Sequence, residues 1–116
     1  MKITITPTLL KGTITPPPSK SQAHRLLIAA ALSGGVSTLR HVALSQDIAA
    51  TLSCLRAMGA GAAEREGALE LHGLGNSIPQ AGPSPLLDCG ESGSTLRFLI
   101  PVALLVCGEA RFTGRG

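Results

Sequence analysis

Four polar side chains lie close together near the start of the chain, directly after three consecutive prolines: Ser19, Lys20, Ser21 and Arg25. A helix cannot hold the prolines in its interior and is expected to begin just after them, with Ser19 or Ser21 as its N-cap. The unpaired N–H groups of a helix start attract an anion, and Lys20 and Arg25 add two full charges. These residues predict a site for a phosphate or a carboxylate. The alternative is a solvated helix start from which both cations extend into water.

A second group of the same kind follows 72 residues later. Residues 97–104 match residues 25–32 at Arg, Leu, Ile, Ala and Leu, and small, hydroxyl-bearing residues again precede the arginine, at 90–95. Chance would rarely repeat both the charge and the apolar run. The recurrence indicates one supersecondary unit used twice, each time with an arginine at the head of a helix.

The two apolar runs predict helices buried on all sides, at residues 21–33 and 92–106. Gly34-Gly35 is expected to end the first helix, and Pro101 either kinks the second or occupies a position that tolerates its missing hydrogen bond. Residue periodicity and turn signals predict the other elements. These are strands at 2–6, 11–15, 36–42, 86–89 and 110–113, an amphipathic and half-exposed helix at 45–58, a hairpin at 62–72 that turns at Glu66-Gly67, and a linker at 73–85.

Composition excludes several classes of function. Aromatic residues make up 2% of the chain, with no Trp or Tyr, so bases have no platform on which to stack and nucleic-acid binding is not expected. The formal net charge of +3 is spread along the sequence, which suits small anions better than a polyanion. No apolar run reaches the roughly 18 residues of a membrane span.

Cysteines and histidines show no metal or disulfide pattern. Three cysteines without paired spacing are typical of a reduced, cytoplasmic protein. We interpret the three histidines as structural or exposed, Asp47 as a first-turn helix acid, Asp88 as a strand-end residue and Cys89 as a packing residue. No metal site is predicted.

Two motifs, Ser19-Lys20-Ser21 with Arg25 and Gly90-x-Ser92-Gly93-Ser94-x-x-Arg97, resemble those of the 5-enolpyruvylshikimate-3-phosphate synthase family, the 3-phosphoshikimate 1-carboxyvinyltransferases. The resemblance covers essentially all 116 residues and the first quarter of the family's length. It implies an α/β fold of repeated β-α-β-α-β-β units, the inside-out α/β barrel of enolpyruvyl transferases, with about one and a half units present. It divides the chain into leading strands at 1–17, a first folding unit at 18–82 and the start of a second at 83–116.

The same resemblance implies roles for individual residues. Lys20 is similar to the catalytic lysine that contacts both phosphoenolpyruvate and shikimate 3-phosphate. Ser21 and Arg25 are similar to residues that hold the shikimate substrate, and Gly93 and Arg97 to contacts of phosphoenolpyruvate.

Two further candidates depart from the family pattern. Ser94 stands where threonine is common, and Glu91 stands where asparagine is frequent. A carboxylate repels a bound anion unless it turns away or pairs with a cation.

The implied reaction joins the 5-hydroxyl of shikimate 3-phosphate to C2 of phosphoenolpyruvate while C3 is protonated, and then expels phosphate, a step of aromatic amino-acid biosynthesis. It needs no metal or organic cofactor. In the family the acid, the base and a further arginine lie in later units, so this chain is expected to be a fragment with part of the binding site and no activity alone. Family members are usually monomeric, whereas a fragment could self-associate.

Two other functions remain open. A UDP-N-acetylglucosamine enolpyruvyl transferase shares the fold and phosphoenolpyruvate but usually lacks the Ser-Lys-Ser and Arg pattern. A non-catalytic anion-binding or structural module is the other alternative. Only the synthase hypothesis places the phosphate of shikimate 3-phosphate near Lys20 and Arg25.

Overall fold

The computed structural model describes residues 1–78 and 82–116, and its regular elements begin at Lys20. In chain order they are α1 (Lys20–Leu32), β1 (Val36–Arg40), α2 (Gln46–Ala57), β2 (Gly61–Arg65), β3 (Ala68–His72), a 3-10 turn (Gly75–Ser77), β4 (Leu86–Asp88), α3 (Gly93–Cys107) and β5 (Arg111–Thr113). The helices and strands predicted from residue 21 onward are confirmed, with bounds shifted by one or two residues. The predicted linker 73–85 contains the 3-10 turn, and its residues 79–81 lie outside the described residues.

The strands predicted at 2–6 and 11–15 are wrong for this chain. Residues 1–19 form no strand, and all of them are exposed. Alternating β-branched residues favour extended backbone, but a strand is fixed by a hydrogen-bonded neighbour, and an isolated pair of strands is marginal in water. This segment has no such neighbour within the described residues.

Three antiparallel strands form the larger sheet in the order β1-β3-β2, and β3 pairs with both neighbours along its whole length. The β2–β3 hairpin turns at Glu66 and Gly67, whose φ angles of 50° and 72° match the predicted tight turn. Leu69 and Leu71 of β3 are buried, as the period of two along a strand requires. This sheet supports α1 from one side.

The smaller sheet consists of β4 and β5, which pair in parallel with α3 as the crossover between them. Residues 89–92 join β4 to α3 at the carboxyl end of β4. Backbone bonds tie this loop to the exit of β5: Cys89 N donates to Thr113 O at 2.9 Å, and Arg115 N donates to Gly90 O at 2.7 Å. The start of α3 therefore lies at the carboxyl edge of a parallel sheet, where α/β folds commonly hold ligands.

Helix α2 is amphipathic, as predicted, and packs against both α1 and α3. The all-round burial predicted for α1 and α3 is wrong. Leu26 of α1 is 47% exposed, and Leu96 and Leu104 of α3 are 38% and 60% exposed. The apolar runs of these two helices have packing neighbours on one side only within the described chain. Each helix therefore buries a single face, and α1 is no more buried than α2.

The two helices of the 72-residue repeat are buried at equivalent positions. Three pairs of equivalent positions are buried in both helices: Ala23 and Thr95, Leu27 and Leu99, Ala31 and Ala103. Arg25 and Arg97 are both exposed. The helix starts differ, however, because Ser19 caps α1 and Ser92 caps α3. Arg25 is therefore one residue farther from its cap than Arg97, which amounts to about 100° around the helix axis.

The two repeated helices also end differently. Gly108, at φ 71°, closes α3 and donates its N–H to Leu104 O. At the end of α1, Ser33 keeps extended backbone and its hydroxyl donates to Ala30 O at 2.8 Å, so the glycine stop predicted for α1 is replaced by a serine cap. Pro101 lies inside α3, which continues past it to Cys107.

Candidate functional site

Lys20, the first residue of α1, extends toward the start of α2. Its Nζ donates to Asp47 Oδ2 at 2.6 Å, with the two side chains 57% and 30% exposed. An ion pair this exposed contributes about 0–1 kcal/mol, because water screens it. An incoming anion can therefore displace Asp47 from the ammonium with little loss of stability.

Arg25 is held from two sides. Its Nη1 donates to the carbonyl oxygen of Ser21 at 2.9 Å, and its Cζ lies 5.2 Å from the ring centre of Phe98 in α3. A guanidinium over an aromatic face is attracted to it and keeps its planar fork oriented. The other N–H groups of Arg25 have no partner within residues 1–78 and 82–116 and can donate to a ligand. Arg25 thereby joins the start of α1 to α3.

Arg97 folds back over the start of α3. A Cβ added to Gly93 would lie 3.7 Å from Arg97 Nη2, so the glycine leaves open the space beside the guanidinium. Ser94 is exposed next to Gly93. Gly93, Ser94 and Arg97, three of the four residues predicted for the second group, thus lie together at the start of α3.

Two cavities border the loop that leads into α3. One of about 430 Å3 is lined by residues 89–93, Leu96 and residues 112–116, and one of about 620 Å3 is lined by α2 and the same loop. Glu91 and Arg115 line both cavities. Glu91 has no ion-pair partner among the described residues, and it lines the smaller cavity together with Gly93.

Buried hydrogen bonds connect the N-terminal halves of the three helices. His24 Nδ1 lies 2.8 Å from Thr51 Oγ1, which lies 2.8 Å from Thr95 Oγ1. Thr95 Oγ1 lies 2.7 Å from Ser92 Oγ and 3.3 Å from the carbonyl oxygen of Asp47. His24 is 1% exposed, Thr51 and Thr95 are fully buried, and Nε2 of His24 has no partner. This network fixes α1, α2 and α3 relative to one another.

Burial lowers the pKa of His24, an effect that Asp47 opposes and that Lys20 and Arg25 reinforce. The folded chain therefore keeps a neutral imidazole at pH values where the unfolded chain binds a proton.

We expect the free energy of unfolding to fall as the pH drops below about 6.5, by at most about 1.4 kcal/mol per pH unit from this group, and to level off above that pH. Urea unfolding between about pH 5 and pH 8 measures the effect. A His24→Gln variant should lose this part of the slope while keeping His41 and His72, which are exposed. Equal slopes in both proteins would contradict the assignment.

The thiols near the site are buried rather than reactive. Cys54 Sγ donates to Asp88 O at 3.3 Å, and burial raises the pKa of Cys54 to about 12. Burial also raises the pKa of Cys89. These values agree with Cys89 as a packing residue.

Within the two described ranges, no three His, Cys, Asp or Glu side chains are grouped closely enough to hold a metal ion. In the same ranges, each helix is too short or too polar to cross a bilayer.

Several contacts of the site could not be read from the sequence. Lys20 and Asp47 are 27 positions apart, and Thr51 and Thr95 are 44 apart. Nothing in the sequence indicated that Phe98 contacts Arg25, apart from the position of Phe98 next to Arg97. Local patterns placed the cations at helix starts but could not identify their partners.

A family model and two relatives of this chain carry the same activity name. The family model for EPSP synthase (3-phosphoshikimate 1-carboxyvinyltransferase) matches residues 5–116. A 3-phosphoshikimate 1-carboxyvinyltransferase of Clostridium perfringens is 42% identical over 115 residues, which are 99% of this chain and 27% of that relative. The protein of the same name from Clostridium beijerinckii is 44% identical over 119 residues, covering 97% of this chain and 27% of its own length.

The fold agrees with these matches. An EPSP synthase structure from Acinetobacter baumannii matches with a TM-score of 0.73 at 29% identity, covering 90% of this chain and 24% of the other. The α/β fold expected from the resemblance is thereby confirmed. The chain spans about a quarter of the length of the relatives that it matches. It belongs to the EPSP synthase family.

Proposed function

We propose that this chain supplies part of the substrate site of a 3-phosphoshikimate 1-carboxyvinyltransferase, which transfers the enolpyruvyl group of phosphoenolpyruvate to the 5-hydroxyl of shikimate 3-phosphate. The observation that carries the proposal is the pair of cationic helix starts, Lys20 with Arg25 on α1 and Arg97 beside Gly93 on α3. Both substrates are anionic, and each helix start adds unpaired N–H groups to its cations.

The roles of the residues follow from their donors. The ammonium of Lys20 has three hydrogens, of which Asp47 takes one, so Lys20 can contact both substrates. Arg25 and the exposed hydroxyl of Ser21 hold shikimate 3-phosphate. Arg97 binds phosphoenolpyruvate, which occupies the open space at Gly93. Ser94 is a further hydrogen-bond donor to the same substrate.

These groups act electrostatically. The 5-hydroxyl oxygen of shikimate 3-phosphate bonds to C2 and gives its proton to a base while C3 takes a proton from an acid, and the tetrahedral adduct then loses phosphate and a C3 proton. Fixed cations stabilise the phosphate as its bond to C2 breaks, without reorganising at that moment. The proposal includes no metal or organic cofactor.

The division into a folding unit at 18–82, a second unit starting at 83 and a preceding segment at 1–17 belongs to the same proposal. We place the enzyme in the cytoplasm, in keeping with its three free cysteines, and propose a monomer because the family is usually monomeric.

Amide NMR titration of the chain with each substrate tests the proposal. We expect shikimate 3-phosphate to shift Lys20, Ser21 and Arg25, and phosphoenolpyruvate to shift Gly93 and Arg97. An Arg65→Ala variant, which removes an exposed cation of β2, should bind as the parent does. Shifts produced by UDP-N-acetylglucosamine instead would favour the related transferase, and shifts with neither substrate would favour a structural module.

Glu91→Gln is expected to tighten phosphoenolpyruvate binding by about threefold, because two like charges about 6 Å apart in water repel by about 0.7 kcal/mol. We expect this repulsion because Glu91 lines the same cavity as Gly93 and has no cation partner in the described part of the chain. The same NMR titration measures the change. Unchanged affinity would show that the carboxylate turns away from the ligand.

A further inference from the structure

The buried network contains few hydrogens, and this limits how its bonds can point. Thr51, Thr95 and Ser92 each have one hydroxyl hydrogen. One hydrogen is needed in each of three contacts: His24 with Thr51, Thr51 with Thr95, and Thr95 with Ser92. If Thr51 donates to His24, the directions of the bonds that follow are fixed, whereas a donating His24 leaves Thr95 two acceptors, Ser92 Oγ and the carbonyl oxygen of Asp47.

If His24 carries its proton on Nε2, the Thr51 hydroxyl must donate to Nδ1. Thr95 must then donate to Thr51, and Ser92 must donate to Thr95. All three hydroxyl hydrogens are consumed inside the protein, and the carbonyl oxygen of Asp47 receives none from Thr95.

If His24 carries its proton on Nδ1, the imidazole donates to Thr51 and Thr51 donates to Thr95. Thr95 can then donate to Ser92 Oγ at 2.7 Å, and that oxygen also accepts from Thr95 N at 3.1 Å. In that arrangement both acceptor positions of the Ser92 oxygen are filled and its own hydrogen is free, whereas Ser92 donates to Thr95 when Thr95 donates instead to the carbonyl oxygen of Asp47 at 3.3 Å. Ser92 lines the cavity of about 430 Å3 in front of Gly93, so its hydrogen can reach a ligand there.

The unpaired Nε2 of His24 distinguishes the two arrangements. This atom is buried and has no hydrogen-bond partner. A proton there would be an orphaned buried N–H, which folded proteins rarely contain, whereas a proton on Nδ1 leaves only an unused acceptor. The Nδ1–H form is therefore the favoured tautomer.

We propose that the Ser92 hydroxyl is a further substrate-binding donor at the start of α3, and that His24, Thr51 and Thr95 are positioning residues that leave its hydrogen free to bind an anionic group of the ligand. This inference rests on the proposed function and deepens it, because it adds a donor to the phosphoenolpyruvate side of the site.

The first test is the tautomer of His24. Long-range proton–nitrogen NMR correlation on the 116-residue chain reports which ring nitrogen carries the proton. The Nδ1–H form is expected, and a dominant Nε2–H form would overturn the inference whatever the chain binds.

The second test is the affinity of the chain for phosphoenolpyruvate, measured by NMR titration. Ser92→Ala should weaken binding by about 10-fold or more, as expected for a lost hydrogen bond to a charged group. The matched control is Ser45→Ala, which removes the cap of α2 and should lower stability while leaving this affinity unchanged. Thr95→Val should weaken binding in the same direction, and Thr95→Ser, which keeps the hydroxyl, should restore it.

The outcomes separate the two claims. If the parent chain binds phosphoenolpyruvate and Ser92→Ala binds equally well, the inference fails and the proposed function stands. If the parent chain binds neither substrate, the proposed function fails and the inference fails with it.

Discussion

Lys20→Met and Arg25→Ala are each expected to weaken the binding of shikimate 3-phosphate by about 10- to 150-fold, because a charge-assisted hydrogen bond contributes roughly 1.5–3 kcal/mol. Lys20→Met should have the larger effect, since it also leaves the Asp47 carboxylate unpaired beside the incoming phosphate. Adding Asp47→Asn to that variant should recover part of the loss. Both cations are exposed, so the fold should remain intact.

Isothermal titration of the parent and the three variants measures these affinities, and thermal unfolding of the same samples reports stability. Arg65→Ala is the control, because it removes a cation that is 71% exposed on β2. If Lys20 and Arg25 are only structural, the variants will lose thermal stability and the folded fraction will bind as tightly as the parent. That pattern would remove the main support for the anion site.

Product formation by the isolated 116 residues is expected to be undetectable, even if both substrates bind. The reaction requires a proton to be delivered to C3 and later removed, and the imidazole nearest the cations, His24, is buried with a lowered pKa. The relatives of the same name are about four times as long, and the resemblance places the acid, the base and a further arginine in their later units.

Phosphate release from phosphoenolpyruvate and shikimate 3-phosphate is the measurement. Mixing the chain with residues of the Clostridium perfringens relative that follow the matched segment should restore turnover if the two parts assemble. Lys20→Met in the mixture is the control and should abolish the recovered activity. Rapid release by the 116 residues alone would show that the proton-transfer groups lie within them.

Patterns confined to neighbouring residues predicted much of this fold. Ser19 was one of two serines expected to cap the first helix, and the other two helices were expected to begin at Ser45 and Ser92. Each of the three serines accepts a backbone N–H bond from three residues ahead. The Glu66-Gly67 turn was recognised from its dipeptide. Such features depend on the backbone within one turn of the chain, so the local sequence contains the information that fixes them.

Features that depend on a distant neighbour were not predicted. The alternation at residues 2–15 is compatible with strands, but pairing requires another strand, which the described residues do not supply. The apolar surfaces of α1 and α3 likewise indicate that burial would be favourable without specifying what covers them. Leu26 and Leu104 remain exposed for this reason.

The same limit applied to the site. Sequence spacing located Lys20, Arg25 and Arg97 at helix starts, but their partners depend on how three helices pack. The buried hydroxyls of Thr51 and Thr95 look like ordinary helix residues in the sequence. Their importance becomes visible only when α2 and α3 bring the two oxygens to 2.8 Å.

The proline inside α3 has a consequence for how the site can respond to its ligand. Residue 101 has no N–H, and in an α-helix that group would bond the carbonyl four residues earlier, which belongs to Arg97. The carbonyl oxygen of Arg97 therefore lacks one of the hydrogen bonds that stiffen a helix, and water can solvate this oxygen on the exposed face of α3. We expect small tilts of this turn to be easier than elsewhere in α3, so that the arginine can follow a phosphate as the ligand changes from planar to tetrahedral and back.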